Sequence, residues 1–373
     1  MRDWIRLSRS AIAEEEKQAV LSVLDKGYLG MGTEVMQFEQ ELEQFFSNKV
    51  SVVCVNTGTS ALHLAIQACG IGLNDEVIVP SITYVASFQA ISATGATPIA
   101  CDIDLKTGCI DIEDARSKIT RKTKAIMHVH YAGGVGNRSQ AFDLAKEFKL
   151  RVIEDAAHSF GGKDGKSYIG EEGDITCFSF DGIKNITCGE GGAVVSSDQQ
   201  LIATIKDLRL LGVERDSEQR YSGKRSWRFN VTQQGWRYHM SNLYAAIGRA
   251  QLRKINEFAI QRRKLAQLYK QNLSRLSLEF FDLDLNQVIP HIFPVLVSHG
   301  KRDALRDYLL SKKIETGIHY QANHLLTKYK QSGCPRSEYF SDNILTLPLH
   351  VNLTDEDIKY ITMQILDFLK HEA

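Results

Sequence analysis

Lys184 stands alone in the run Ser179-Phe180-Asp181-Gly182-Ile183-Lys184, between an apolar stretch and the turn-rich Gly189-Glu190-Gly191-Gly192. A lysine in such a loop between two strand candidates can attack a carbonyl carbon, provided that burial lowers its pKa and frees the amine's lone pair. The plain alternative is a solvated loop lysine. A second cluster, Asn56-Thr57-Gly58-Thr59-Ser60, joins a strand candidate to a helical pattern. Unpaired N–H groups and small hydroxyls at such a junction could cradle a phosphate, although an N-cap by Thr57 or Thr59 would explain the same residues. The third, Glu154-Asp155-Ala156-Ala157-His158, puts an acid at the end of an apolar run. There it is poorly solvated unless it meets a positive charge, and a helix-capping aspartate is the bland reading. Together, a phosphate cradle, a strand-end carboxylate and a lysine describe a site for pyridoxal 5'-phosphate. Lysine forms the Schiff base, and the aspartate keeps the ring nitrogen protonated so that the ring draws charge from the substrate carbon. Glycines 189, 191 and 192 let the backbone turn around the lysine.

The elements that must hold these clusters are legible in the pattern. Short β-rich runs at 51–56, 76–80, 97–102, 124–130, 151–155, 174–180 and 192–197 alternate with helical segments. Near-continuous apolar strands joined by helical crossovers predict an α/β fold with a mostly parallel seven-stranded sheet, covered on both faces. Ligands of such sheets bind beyond the carboxyl ends of the strands, where all three clusters fall. After residue 240 the pattern changes. Residues 241–276 read as one long helix, followed by a strand candidate at 291–298, a helix at 302–313 and a C-terminal helix from about Asp355. This predicts a large domain over 1–250, with an N-terminal segment, and a smaller α+β domain over 251–373.

With 45 basic and 45 acidic residues in a chain of 373, there is no overall charge to attract nucleic acid or an anionic membrane. The N-terminal stretch is charged and lacks an apolar core, which argues against a signal peptide. Seven cysteines without a CxxC pair read as reduced core residues rather than metal ligands or disulfides. No metal is expected, and the expected compartment is the cytoplasm. A nicotinamide-dependent oxidoreductase would want G-x-G-x-x-G after the first strand, where Thr57-Gly58-Thr59 stands instead.

The ordered runs NTGTSALHLAI, DEVIVPSITYVASFQAISATGATPIACDID, TKAIMHVHYAG, VIEDAAHSFGG, GDITCFSFDGIKNITCGEGGAVVSSD and MSNLYAAIGRAQL span most of the chain. They closely resemble the sugar-nucleotide aminotransferases of the DegT/DnrJ/EryC1/StrS family, which have the aspartate aminotransferase-like fold (fold type I). The resemblance implies that Lys184 binds the cofactor and carries the proton, while Asp155 pairs with the ring nitrogen. His158 would lie near the ring hydroxyl and Tyr84 would stack on the ring. Gly58, Thr59, Ser60 and Ser179 would hold the phosphate. The family's G-Y-N-Y-R-M run becomes Gly235-Trp236-Arg237-Tyr238-His239-Met240 here. Arg237 thus replaces an asparagine that reaches the neighbouring subunit's phosphate; it would serve that phosphate or the substrate's. Lysine at position 184, where the related 3-dehydratases have histidine, favours transamination over dehydration, and the lysine, acid and phosphate loop together argue against a catalytically silent relative. Candidate substrate contacts are Tyr28, Leu29, Arg237, His319 and Tyr320. The implied enzyme is a homodimer with its site at the subunit interface, cycling between pyridoxal and pyridoxamine phosphate. Its amino donor is glutamate and its acceptor a nucleotide-linked keto sugar. Within the family the motifs are most similar to the perosamine and viosamine type. That implies C4 amination of a dTDP-linked 4-keto-6-deoxyhexose for O-antigen or another surface glycan. C3 amination and UDP- or GDP-linked sugars remain alternatives.

Overall fold

Each of the seven expected strands is present in the computed structural model, which describes residues 3–224, 227–274, 276 and 278–371. They are β1 (Ser51–Val55), β2 (Glu76–Pro80), β3 (Thr97–Cys101), β4 (Thr123–Val129) and β5 (Arg151–Asp155), then β8 (Ile175–Ser179) and β9 (Gly192–Ser196). Between β5 and β8 lies a two-residue hairpin, β6 (Lys163–Asp164) with β7 (Ser167–Tyr168). The sheet order is β1-β9-β8-β5-β4-β2-β3. Only β9 runs against the others, pairing antiparallel with both β1 and β8. The carboxyl ends of the remaining six strands therefore share one edge.

Helices α1 (Glu14–Lys26) and α2 (Thr33–Phe45) precede the sheet, and α3 (Gly58–Ala68), α4 (Val85–Ala93), α5 (Ile112–Ser117), α6 (Arg138–Phe148) and α7 (Gln199–Leu208) connect or follow its strands. The period-two alternation of side chains sorts the strands between two apolar layers. Val53 and Val55 face Leu62, Ala65, Phe88 and Ile205 on one side. Val52 and Cys54 face Phe38, Phe46, Phe160 and Phe178 on the other. All five residues of β8 and all five of β9 are buried, which explains why these strands read as unbroken apolar runs.

The single helix expected over 241–276 is instead two. After α8 (Asp216–Tyr221), α9 (Asn242–Leu252) stops and α10 (Ile255–Leu273) starts two residues on. No glycine or proline marks the break; tertiary contacts impose it. The Lys254 ammonium bonds Glu15 at 2.9 Å and Glu16 at 2.8 Å on α1, and the Gln251 amide donates to the Ala11 carbonyl and to Glu16, both at 2.7 Å. Arg275, near the end of that expected helix, lies outside the described residues.

A second, antiparallel sheet follows, of β10 (Glu279–Phe280), β11 (Phe293–Leu296) and β12 (Ile344–Leu347). It packs with α10, α11 (Arg302–Ser311) and α13 (Asp355–His371) around Tyr269, Val295, Leu305, Ile361 and Ile365; α12 (Pro335–Asn343) leads into β12. Ile5 joins this core, tied by its N–H to the Lys313 carbonyl at 2.9 Å. The chain therefore touches the smaller sheet before it enters the larger one. Among the described residues, no helix is long and apolar enough to cross a membrane, and no group of three or more His, Cys, Asp or Glu side chains could hold a metal ion. All seven cysteines are free.

Candidate active site

The ends of β1, β2, β4, β5 and β8 open into a cavity of about 430 Å³, within the size range of small-molecule sites. One end is the first turn of α3. Thr57 caps that helix, its side chain accepting from the Ser60 N–H at 3.0 Å. The N–H groups of Gly58 and Thr59 lack partners among the described residues, as the first turn of a helix dictates. A Cβ at Gly58 would stand 2.8 Å from the Ser179 Cβ, so glycine alone lets the helix start this close to β8. Gly58, Thr59 and Ser179 line the cavity. Ser60 does not, contrary to expectation. Its hydroxyl turns inward to Asn56 Oδ1 at 2.7 Å and the Thr57 carbonyl at 2.8 Å, because capping competes for the same oxygen.

Asp155 ends β5 and is buried. Its Oδ2 accepts from Ser87 Oγ at 2.7 Å, which is itself 2.8 Å from Thr83 Oγ1, and its Oδ1 accepts from the Ala157 N–H at 3.2 Å. No lysine or arginine pairs with it among the described residues. A buried carboxylate held by neutral donors alone suits an incoming cation. Below it Glu154, fully buried, is bonded by His130 Nε2 at 2.9 Å, Arg138 Nε at 2.6 Å and Thr176 Oγ1 at 3.2 Å. Burial alone would raise the Glu154 pKa, but hydrogen bonds and charge from His130 and Arg138 outweigh it and hold the carboxyl at about 2.

Lys184 lies in the turn after β8, its N–H donating to the Asp181 carbonyl at 3.0 Å. Its amine stands 3.5 Å from His291 Nε2. Burial brings that amine to about 8, helped by the charge of Arg262 and opposed by Asp155 and Asp181. His158 is buried beside it, with Nε2 2.9 Å from the Tyr320 hydroxyl and its ring centroid 4.4 Å from that of His291. Burial, then the Lys184 charge, push the His158 pKa well below the usual histidine range, so the ring is neutral at pH 7. Tyr84, the N-cap of α4, leaves 61% of its surface open and lines the cavity wall.

His319 and Tyr320 form the roof. That roof is tied to the end of β2. Asn323 Nδ2 donates to the carbonyls of Ser81 at 3.0 Å and Thr83 at 2.7 Å, and His324 Nδ1 lies 2.7 Å from Ser81 Oγ. Asp181 and Glu190 lie at the mouth, and burial, then Asp181, raise the Glu190 pKa.

Tyr28, Leu29 and Arg237 do not line the cavity of a single chain. Tyr28 and Leu29 are exposed beyond α1. Arg237, exposed, sits in a short segment bridged to Leu210, where it makes no hydrogen bond or ion pair among the described residues. Sequence reasoning missed Thr83, Ser87, His130, Asp181, Glu190 and His291. Thr83 and Ser87, four apart at a strand-to-helix junction, offered a usable signal. His291, after Pro290 in an apolar run, offered only its polarity.

The cradle at Gly58, the Asp155 carboxylate without a cationic partner and the desolvated Lys184 amine fit pyridoxal phosphate end to end. A model of the DegT/DnrJ/EryC1/StrS aminotransferase family matches residues 10–366. Among solved structures, aminotransferase TlmJ from Streptoalloteichus hindustanus is 30% identical, with 98% of this chain and 99% of that one covered and a TM-score of 0.91. Spr1654 of Streptococcus pneumoniae, assigned as a sugar aminotransferase, is 28% identical over 96% of this chain and 97% of that one in its PLP form, with a TM-score of 0.88. It is also solved in a PMP form. PseC of Helicobacter pylori, an aminotransferase involved in the biosynthesis of pseudoaminic acid, is 26% identical over 98% and 99%, with a TM-score of 0.90.

Proposed function

Because the chain belongs to the DegT/DnrJ/EryC1/StrS aminotransferase family, and so is a pyridoxal-phosphate-dependent sugar aminotransferase of fold type I, we propose that it moves an amino group from glutamate to C4 of a dTDP-linked 4-keto-6-deoxyhexose. The product would serve O-antigen or another surface glycan, made in the cytoplasm. The observation that carries the chemistry is a half-buried lysine, its amine lowered to about 8, in one cavity with a carboxylate that has no cation of its own. The choice of sugar, carbon and nucleotide is supported by the resemblance of the motifs to the perosamine and viosamine type.

Pyridoxal phosphate, when bound, supplies an electron-poor ring that accepts the electron pair left behind as a proton departs from the donor carbon. The rest falls to the chain. The open N–H groups of Gly58 and Thr59, with Ser179, hold the phosphate against a helix N-terminus. Asp155, oriented by Ser87 and the Ala157 N–H, meets the ring nitrogen and keeps its proton in place. Lys184 Nζ takes the α-proton from the donor as general base, then delivers it as general acid; a pKa of about 8 suits both roles near neutrality. His158, neutral and held by Tyr320, would face the bound cofactor without adding charge. Tyr84 supplies the open aromatic face, and the roof of His319 and Tyr320 excludes water above it.

The cavity of one chain carries three carboxylates, Asp155, Asp181 and Glu190, against the single ammonium of Lys184. An acidic donor and a nucleotide diphosphate both need cations. Arg237, exposed without a partner among the described residues, suits delivery to the site of a second copy, and Tyr28 and Leu29 suit the same interface. This supports a homodimer with shared sites.

The test is to convert the protein to its pyridoxamine form with glutamate, remove the oxo acid, and offer a panel of dTDP-, UDP- and GDP-linked 3-keto and 4-keto sugars. Return of the visible absorbance with the dTDP-linked 4-keto-6-deoxyhexose, and nitrogen at C4 by NMR of the product, are expected. Recovery only with a 3-keto sugar or another nucleotide would overturn the substrate assignment.

A further inference from the structure

His291 comes from the smaller unit, just before β11, yet its Nε2 is 3.5 Å from the Lys184 amine. Three restraints bring it there. Its N–H donates to the Ala132 carbonyl at 3.1 Å. Gly133, at φ +97°, leaves room for the strand: a Cβ would stand 2.7 Å from the Ile289 carbonyl oxygen and 3.0 Å from that of His158. Behind it, the buried Arg262 of α10 donates from Nη1 to the carbonyls of His291 at 3.1 Å, Pro290 at 3.4 Å and Leu349 at 3.3 Å. Arg262 meets no carboxylate among the described residues, and its Nε has no partner there. A buried guanidinium on carbonyls alone is a costly arrangement, and it faces both His291 and Lys184.

We propose that His291, braced by the buried guanidinium of Arg262, is the docking partner of the Lys184 amine whenever that amine is not bonded to a carbonyl carbon, and is thus a positioning residue for the amino transfer. Where the amine is the donor, as an ammonium always is, His291 offers a lone pair at Nε2 and carries its proton on Nδ1, which is buried without a hydrogen-bond partner among the described residues. That requires a neutral ring. The groups facing His291 are Lys184, His158, Arg262 and His319; burial and these neighbours hold its pKa well below the usual histidine range. The negative groups facing the amine are Asp155 and Asp181, on the large-sheet side. With one N–H directed to His291, the amine's lone pair is free to point back into the cavity. Lys184 must leave the cofactor and return to it in every turnover, and a fixed resting place shortens the search for the reactive geometry.

This inference rests on the reading of Lys184 as the cofactor-binding lysine, and its test separates the two. Full-length wild type, His291→Leu and His291→Gln are compared without cofactor. An acylating reagent labels lysines across a pH series, and mass spectrometry of the peptide containing Lys184 reads the midpoint. Loss of the acceptor should lower that midpoint by about one pH unit in His291→Leu, while His291→Gln, whose amide oxygen can accept, should stay near wild type. In the loaded enzyme, His291→Leu should lose about tenfold in kcat at unchanged KM for glutamate, with His291→Gln recovering most of it. A His291→Leu protein with wild-type midpoint and kcat, or a His291→Gln protein as impaired as His291→Leu, overturns the proposal. Should His291→Leu not fold, ¹⁵N-histidine NMR of the wild type decides. A neutral ring protonated at Nδ1 from pH 5.5 to 8.5 is expected, and a ring that titrates there or carries its proton on Nε2 refutes it. Failure of the underlying reading looks different: Lys184→Ala would still acquire the visible band on adding pyridoxal phosphate.

Discussion

With Lys184 read as the cofactor-binding lysine, the rate at which the cofactor-free chain captures pyridoxal phosphate reports on that lysine's environment. Only the neutral amine attacks the aldehyde, so the rate should follow the neutral fraction. With the amine at about 8, that fraction is about 9% at pH 7, about 50% at pH 8 and about 90% at pH 9. A lysine at its ordinary 10.5 would be about 0.03% neutral at pH 7, some 300-fold less, and its rate would climb about tenfold per unit through pH 10. Capture should therefore rise about tenfold between pH 7 and 9 and then level off. The sign for a neighbour follows from charge. Asp155 favours the ammonium, so Asp155→Asn should move the plateau to lower pH even as it weakens the final complex and removes most of the turnover. Stopped-flow absorbance at the visible band, with excess cofactor at fixed ionic strength, measures both curves. A rate still rising about fivefold between pH 9.5 and 10.5, where an amine at about 8 gives a plateau, would show a solvated amine and defeat the reasoning behind the whole site.

Three further outcomes are expected. Below pH 8 the partly desolvated ammonium of Lys184 opposes folding of the cofactor-free chain, and the penalty is relieved as pH rises from about 8 to 10.5, where the unfolded chain holds the extra proton. Lys184→Met should therefore be more stable than wild type at pH 7, by up to about 3 kcal/mol, with the gain gone above pH 10.5 in urea unfolding. Glu154 works in the other direction. Its depressed carboxyl contributes stability that is present above pH 4.5 and lost as pH falls toward 2, and Glu154→Gln, which leaves Arg138 and His130 without their charged acceptor, should cost about 3 kcal/mol at pH 7 by the same assay. Gly58→Ala should raise the Kd for the cofactor about tenfold by fluorescence titration, with kcat at saturating cofactor nearly unchanged, since the added carbon collides with Ser179 rather than with the reacting atoms.

Much of the scaffold could be read from residue order because its cause is local. A strand buried on both faces is apolar at most positions, so β1, β4, β8, β9 and the Val152-Ile153 centre of β5 announce themselves, and the strand-end positions of Gly58 and Asp155 follow. What escaped depends on partners remote in the chain. Leu252-Arg253-Lys254 contains nothing that ends a helix; the break exists because α1 supplies Glu15 and Glu16. Ser60 has the right type for a phosphate site, yet the backbone of its own turn claims its hydroxyl. His291 reaches the Lys184 amine through the packing of the smaller unit against the larger sheet, and no spacing within its own segment encodes that approach.

The stapling of the roof to the end of β2 through Asn323 and His324 has a consequence for how traffic reaches the chemistry. Swinging that roof open as a hinge would break at least the three hydrogen bonds that Asn323 and His324 make to Ser81 and Thr83, so the exposed flank at Tyr84 and Glu190 is the approach that leaves them intact. If the acceptor is nucleotide-linked, as proposed, a cavity of about 430 Å³ would take the sugar to be aminated and leave the bulk of the nucleotide at its mouth. Under that reading nucleotide and carbon would be chosen in different places, so that each could drift in evolution without disturbing the other.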